Sequence, residues 1–584
     1  MPAMLMNFLP VVTRMCAVFA GVALLGACEA RLEGPPAVSD LKPGFAQKHM
    51  IAAAHPLAAK AGLTMLRDGG SAVDAAIAAQ MVLTLVEPQS SGIGGGAFMV
   101  HFNATNGAID SYDGRETAPA SAHPRMFLDT QGKPRGFFDA AVGGTSVGVP
   151  GLIRMLEMVH KDHGKLPWHT LFAPAVKLAE GGFLLSKRLA GILERERYLR
   201  ETPGAQGYLY HLSGATKAPG SVIKNPALAD TFKQNASGGA RAFYEGAIAK
   251  DIVAAVRGAA KNPGGMRLDD LARYRAVKRK PVCGPYRSWL VCGMGPPSSG
   301  GVTMLQILGM VQDFDLASMA PAAPAAVHIV SEASALAFAD RNAYIGDPDF
   351  IKVPTTGLLN AGYLRARAKH ISLQKSGGRR QPGAPGARTT FTGAAQQTDK
   401  GHSTTHLSVI DGDGNALAMT SSIETIFGSR LMARGFLLNN QLTDFSFRPD
   451  HRGQPVANHA APGKRPRSSM SPTLVFDDKG DVVLAIGSPG GSRIIGYVTK
   501  AVIGALDWKL SMQDAVDLPN FLSRNRGTEI ERGTALEKHR PSLEALGHQV
   551  KLISRHSGLQ GILKTSKGLQ GGADGRREGV AYGD

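Results

Sequence analysis

Three hydroxyl residues, Ser403, Thr404 and Thr405, stand in a row within the stretch GHSTTHLSVIDGDGNALAMTSS at 401–422. Such a hydroxyl does chemistry when it becomes a nucleophile with a base in reach. Residues Thr405 to Ile410 alternate in polarity, the cluster Asp411-Gly412-Asp413-Gly414-Asn415 interrupts them, and Ala416 to Ser422 alternate again. This pattern predicts a β-hairpin. A turn centred on Asp413 sets Thr404 opposite Ser422, so hydroxyl meets hydroxyl at the open end of the hairpin. One reading is structural, a cross-strand Thr/Ser hydrogen bond on a Thr-rich edge strand. The other is chemical. The preceding KSGGRRQPGAPGARTTFTGAAQQ, 375–397, lacks apolar periodicity and is rich in Gly, Pro and Arg. It predicts a flexible exposed loop, where a cut would leave Thr404 as a new N-terminus.

Other stretches offer competing chemistry. Gly144-Thr145-Ser146-Val147-Gly148 matches G-x-S-x-G, but a nucleophile elbow needs a helix directly after it, and Val149-Pro150-Gly151 intervenes. Glycines 92 and 94–96 lead into an apolar strand without a following GK[ST], which argues against a phosphate loop. His402 and His406 share a strand face, yet no carboxylate or thiolate joins them at ligand spacing, so no metal site is expected. Two alanine-rich helices are expected, Pro56 to Arg67 and, after Gly69-Gly70, Ala72 to about Val86, the second N-capped by Ser71 with Asp74 at the capping-box position. They are too apolar and too poor in basic charge to read DNA, and suit buried packing instead.

The chain of 584 residues is 43% hydrophobic and 19% charged, and its 71 glycines show no period. These values describe a packed, turn-rich globular protein. The net charge of +18 is spread over short clusters such as Lys278-Arg279-Lys280 and Lys464-Arg465-Pro466-Arg467 with no interleaved aromatics. It suits solubility and anionic small molecules rather than nucleic acid. Residues 1–27 carry one basic residue, Arg14, then an apolar run from Met15 to Leu25, and read as an export signal. Their ending, Leu25-Gly26-Ala27-Cys28, resembles a bacterial lipobox, with Cys28 the lipidated residue; an ordinary cleaved signal is the alternative. Once Cys16 and Cys28 are set aside, Cys283 and Cys292 remain, free to bridge or to stay as thiols.

The processing strand Thr404-Thr405-His406-x-Ser408-Val409 resembles that of the γ-glutamyltransferases, self-cleaving N-terminal nucleophile hydrolases. Further stretches resemble the family's motifs in order: Asp113-Gly114-Arg115-Glu116-Thr117-Ala118-Pro119, Pro297-Ser298-Ser299-Gly300-Gly301, Leu438-Asn439-Asn440-Gln441, Arg467-Ser468-Ser469-Met470-Ser471-Pro472-Thr473 and Gly487-Ser488-Pro489-Gly490-Gly491-Ser492-Arg493. The resemblance implies an α/β fold, a four-layer αββα sandwich of the N-terminal nucleophile hydrolase type. It implies a cut between Ser403 and Thr404, giving a large subunit, 28–403, and a small one, 404–584, that stay together. Thr404 would be nucleophile and, through its freed α-amine, base; Ser422 would support it, and the N–H groups of Gly490 and Gly491 would hold the oxyanion. Arg115, Ser468 and Ser469 would grip the α-carboxylate of a γ-glutamyl donor, with Gln441 and Asp444 on its ammonium. No cofactor is implied, and the partners are a small γ-glutamyl donor such as glutathione and water or an amino acid or peptide acceptor, in the periplasm, with a membrane only through the lipid.

Glu424 stands where several family members have asparagine and others glutamate, and it adds a carboxylate near the donor's ammonium. The segment 445–467 corresponds to a lid in some members but lacks tyrosine. Two other functions stay open: an acylase acting on a related amide such as a glutaryl β-lactam, and an unprocessed, non-catalytic binding lipoprotein.

Overall fold

The computed structural model describes residues 44–202, 204–386, 403–451, 453–554 and 557–584. The expected signal, Cys28, His402 and residues 387–397 of the expected loop lie outside the described residues.

Two seven-stranded sheets, antiparallel at every pairing, face each other. The first runs Val580–Gly583, Met50–Ala53, Thr405–Ile410, Ala416–Ser422, Gly96–Asn103, Ala108–Gly114, Val277–Arg279. The second runs Phe45–Ala46, Gly568–Ala573, Gln560–Thr565, Val482–Gly487, Thr473–Phe476, Trp289–Gly293, Val282–Tyr286. Alternate residues Phe98, Val100 and Phe102 of one sheet meet Leu474, Leu484 and Ile486 of the other in one core, and the rings of Phe102 and Phe476 lie 5.1 Å apart across it. Helices Pro56–Arg67 and Ala72–Val86 cover the first sheet, and helices Gly300–Val311 and Ile494–Leu506 the second, which makes four layers, αββα.

Local chemistry explains these elements. Pro56 opens the first helix. Ser71 and Asp74 cap the second reciprocally, Asp74 N–H to Ser71 Oγ at 3.3 Å and Ser71 N–H to Asp74 Oδ2 at 2.8 Å. Every residue of Ala72–Val86 is buried, as its all-round apolar surface requires. Both sheets draw strands from before residue 403 and after 404, so a cut there would leave one fold.

The hairpin register is the expected one, with Thr405 opposite Ser421. The edge-strand reading is corrected: Thr405–Ile410 is an interior strand and buried along its whole length. Its polar face is covered by the second sheet, and its His406 and Ser408 side chains are satisfied by one another, by the neighbouring strand and by that sheet. His406 Nδ1 lies 2.8 Å from Thr420 Oγ1, His406 Nε2 lies 3.1 Å from Ser408 Oγ, and Ser408 Oγ donates to Gln560 O at 3.2 Å. Burial lowers the His406 pKa to about 3, so the ring stays neutral. The loop expectation also changes at its start: Ser376 Oγ and Gly377 N–H donate to the buried Glu332 carboxylate at 2.6 and 3.0 Å, and Arg380 pairs with it. Cys283 and Cys292 face each other across the Val282–Tyr286/Trp289–Gly293 hairpin and are joined as a disulfide.

Candidate active site

Thr404 precedes the Thr405–Ile410 strand by one residue, and the register carries it to Ser422, with 3.1 Å between their hydroxyl oxygens. Both hydroxyls turn to one atom, the carbonyl oxygen of Ser403: Thr404 Oγ1 donates to it, and Ser422 Oγ donates at 3.1 Å. Glu424 N–H donates to Ser422 Oγ at 2.9 Å, which leaves the Ser422 proton for the carbonyl or for Thr404. The peptide between Ser403 and Thr404 is held on each side. Ser403 Oγ donates to Gln89 O and Ser403 N–H to Glu424 O at 3.2 Å, while Arg577 Nη1 donates to Thr404 O at 2.8 Å. Gly95 permits this approach, because a Cβ there would lie 2.2 Å from Ser422 O.

One cleft joins these groups to most of the expected binding residues. Arg115, Ser403, Thr404, Ser422, Glu424, Gln441, Asp444, Ser468, Ser469 and Gly491 all line it. Gly490 sits one residue behind. Gly490 and Gly491 adopt φ values of 134° and 60°, a region that favours glycine, in the turn between the Val482–Gly487 strand and the helix Ile494–Leu506. A turn entering a helix presents N–H groups and the positive end of the helix dipole.

Arg115 is 1% exposed, and its guanidinium donates to Pro466 O at 3.1 Å and to Asp444 Oδ2 at 2.5 Å. The groups expected on opposite charges of a donor thus pair with each other, and a zwitterionic head group must exchange that contact for its own. Next in the chain, Glu116 is fully buried, its Oε2 3.7 Å from Arg115 Nη1, and among the described residues neither carboxylate oxygen accepts a side-chain hydrogen bond. Burial pushes its pKa up to about 8 against the pull of Arg115. It is therefore largely neutral near pH 7, which leaves the Arg115 charge to Asp444 and the cleft.

Glu424 occupies a positive φ of 80°. Burial first, then the Asp444 charge, hold its carboxyl well above the usual range. Gln441 Oε1 is buried and accepts no hydrogen bond among the described residues, an open acceptor beside these two carboxyls. On the opposite wall, Ser468 Oγ accepts from Met470 N–H at 3.1 Å and Ser469 Oγ from Arg341 Nη2 at 2.6 Å.

Of the segment 445–467, only Arg467 lines the cleft among the described residues. Phe447 anchors the segment elsewhere, stacked on Phe127 at 4.7 Å. The G-x-S-x-G serine is no nucleophile: Ser146 is fully buried and donates to Ala141 O at 2.7 Å or Gly143 O at 3.0 Å. Gln89 and Arg341 escaped the sequence reading, and Arg467 and Arg577 stood in stretches it quoted but were given no role there. For Arg577 the signal was the Arg-Arg-Glu within the glycine-rich C-terminal stretch; a lone arginine in a helix gives none.

The gamma-glutamyltranspeptidase family model matches residues 58–584. The chain is 35% identical to a glutathione hydrolase proenzyme of Escherichia coli K12, over 95% of this chain and 96% of that one. Among solved structures it resembles a cephalosporin acylase from Bacillus halodurans, with TM-score 0.79 and 26% identity over 94% of this chain and 98% of that one. A Helicobacter pylori gamma-glutamyltranspeptidase matches with TM-score 0.53 and 34% identity over 57% of this chain and 94% of that chain. The matched span includes the hydroxyl pair at the Ser403 carbonyl and every charged wall of the cleft, and the chain belongs to the γ-glutamyltranspeptidase family.

Proposed function

We propose that the protein is a self-processing enzyme that cleaves γ-glutamyl amides such as glutathione and passes the γ-glutamyl group to water or to an amino acid or peptide. The meeting of the Thr404 and Ser422 hydroxyls at the Ser403 carbonyl carries this reading. Thr404 Oγ1 attacks the Ser403 carbonyl carbon, the C–N bond breaks as its nitrogen takes a proton, and an ester forms. Water hydrolyses the ester, which leaves a Ser403 carboxylate and a free Thr404 α-amine. In turnover that amine takes the Thr404 hydroxyl proton as Oγ1 attacks the γ-carbonyl of the donor, and gives it to the departing amine. The N–H groups of Gly490 and Gly491 receive the oxyanion. Hydrolysis or aminolysis of the γ-glutamyl ester frees Thr404 again.

Arg115, Ser468 and Ser469 take the α-carboxylate, and Gln441, Asp444 and Glu424 the ammonium. A glutaryl donor, the acylase alternative, offers the carboxylate without the ammonium. The two carboxyls and the open Gln441 acceptor favour the γ-glutamyl donor. The large and small subunits form a heterodimer from one precursor, exported to the periplasm and lipid-anchored through Cys28. Among the described residues no helix is long and apolar enough to cross a membrane.

Denaturing electrophoresis of the purified protein, paired with turnover of a γ-glutamyl anilide, tests the reading. Two fragments meeting at Ser403/Thr404 and anilide turnover are expected; a single uncut chain overturns it. Ser422→Ala should slow self-cleavage about 100-fold in a time course, as loss of a carbonyl-polarising donor does. With donor saturating, kcat should rise with pH through about 7.7–8.0, because the α-amine must be neutral to act as base.

A further inference from the structure

We propose that Arg341 is a positioning residue for the donor's α-carboxylate, which sets the Ser469 hydroxyl as a hydrogen-bond donor toward the cleft. The inference rests on the γ-glutamyl reading above. Arg341 belongs to the helix Pro324–Tyr344 and is 1% exposed. From its guanidinium, Nε donates to Ser299 Oγ at 2.8 Å, Nη1 to Asn342 Oδ1 at 3.0 Å, and Nη2 to Ser469 Oγ at 2.6 Å.

A guanidinium only donates. Ser469 Oγ must therefore spend a lone pair on Arg341, and its single proton is left for another acceptor. Ser469 is partly exposed and lines the cleft, so the acceptor it faces is the ligand. The neighbouring serine is set in the same sense. Ser468 Oγ accepts from Met470 N–H, and the Ser468 carbonyl is held by Ser299 Oγ at 2.6 Å and Ser299 N–H at 2.9 Å. Arg341 grips that same Ser299, so one buried side chain fixes both serines. Arg467 lies behind them, its Nη1 donating to Arg341 O and Ile345 O at 3.3 Å, and adds a second buried positive charge to this wall.

The consequence is a fixed polarity. A carboxylate accepts only, and it meets Arg115, Ser468 and Ser469 all as donors. An α-carboxamide brings an NH2 group that faces donors and stays unpaired, which costs affinity. Selection of a free α-carboxylate thus depends on a residue that does not touch the substrate.

The test compares γ-glutamyl anilide with its α-carboxamide analogue in wild type, Arg341→Met, Arg341→Lys, Ser469→Ala and the Arg341→Met/Ser469→Ala double variant. For Arg341→Met, KM for the carboxylate donor should rise about 10- to 100-fold, as loss of a charge-assisted hydrogen bond implies. Its kcat and self-cleavage should stay within about threefold, and its preference for carboxylate over carboxamide should shrink; Arg341→Lys should restore part of KM. The double variant should lose less than the sum of the two single losses, since the arginine acts in part through that hydroxyl. An unchanged KM, an undiminished preference, or additive losses in the double variant would overturn the proposal. Should Arg341→Met fail to fold, Arg341→Lys decides alone: a single ammonium does not reproduce the fork that reaches Ser299 and Ser469, so a raised KM and a reduced preference with kcat retained support it, and a normal KM and preference, or a loss of kcat with unchanged KM, overturn it. Failure of the γ-glutamyl reading would show separately, as absent turnover in wild type.

Discussion

Thr404→Ala is expected to purify as one uncut chain and to lose γ-glutamyl anilide turnover by about 10⁴-fold or more, the scale on which removal of a catalytic nucleophile is felt. The structure separates the two losses. Self-cleavage fails because Oγ1 is carried by the residue whose own nitrogen leaves, so its attack moves the Ser403 acyl group from N to O within Thr404; Ser422 touches that carbonyl's oxygen but begins on another strand. Turnover fails because Oγ1 is missing and the α-amine that would serve as base is still locked in a peptide bond. Thr404→Ser keeps the hydroxyl and should still cut, though more slowly, since loss of the methyl frees its χ1. The fold should survive in both variants, because residues on each side of the cut share both sheets and Thr404 lies outside the regular strand. Cleavage of Thr404→Ala at the same bond would reject Thr404 as the attacking group.

The Thr404–Ser422 end of this site was legible in the chain because short-range rules fixed it, while the binding residues were legible only through the resemblance. The turn at Asp411 to Asn415 set the register that brings Ser422 to Thr404, and Ser71 with Asp74 announced the start of the Ala72–Val86 helix. What period-2 alternation cannot report is the identity of the covering layer. His406 and Ser408 lie on a polar face, which read as an edge strand, yet that face is buried against the second sheet, and Thr420 on the neighbouring strand and Gln560 O across the interface satisfy it. The contacts around the scissile peptide are equally non-local: Gln89 and Arg577 lie 314 and 173 residues from their partners. Each of those side chains has an ordinary surface reading until the fold places it.

Asp444→Asn is expected to separate the two donor classes. In the wild type Asp444 faces Arg115 at 2.5 Å and lies beside Glu424, so its charge serves both the guanidinium and an incoming ammonium. Removing that charge should weaken use of a γ-glutamyl anilide about 30- to 1,000-fold in kcat/KM, the cost of deleting one partner of a largely desolvated charge pair. A glutaryl anilide has no ammonium to lose and meets an Arg115 relieved of its competing carboxylate, so its kcat/KM should hold or rise. Self-cleavage should be unaffected, because the Ser403 carbonyl is held by the Thr404 and Ser422 hydroxyls and not by Asp444 among the described residues. The pH dependence supplies an independent check. Glu424 is neutral below its raised pKa and charged above it, so the wild-type KM for the γ-glutamyl donor should fall as pH rises through that value. Asp444's like charge is one cause of the elevation, after burial, and its removal should move that limb to lower pH. Equal losses for both donors, with the limb in place, would mean that Asp444 serves Arg115 alone and that the ammonium is held elsewhere.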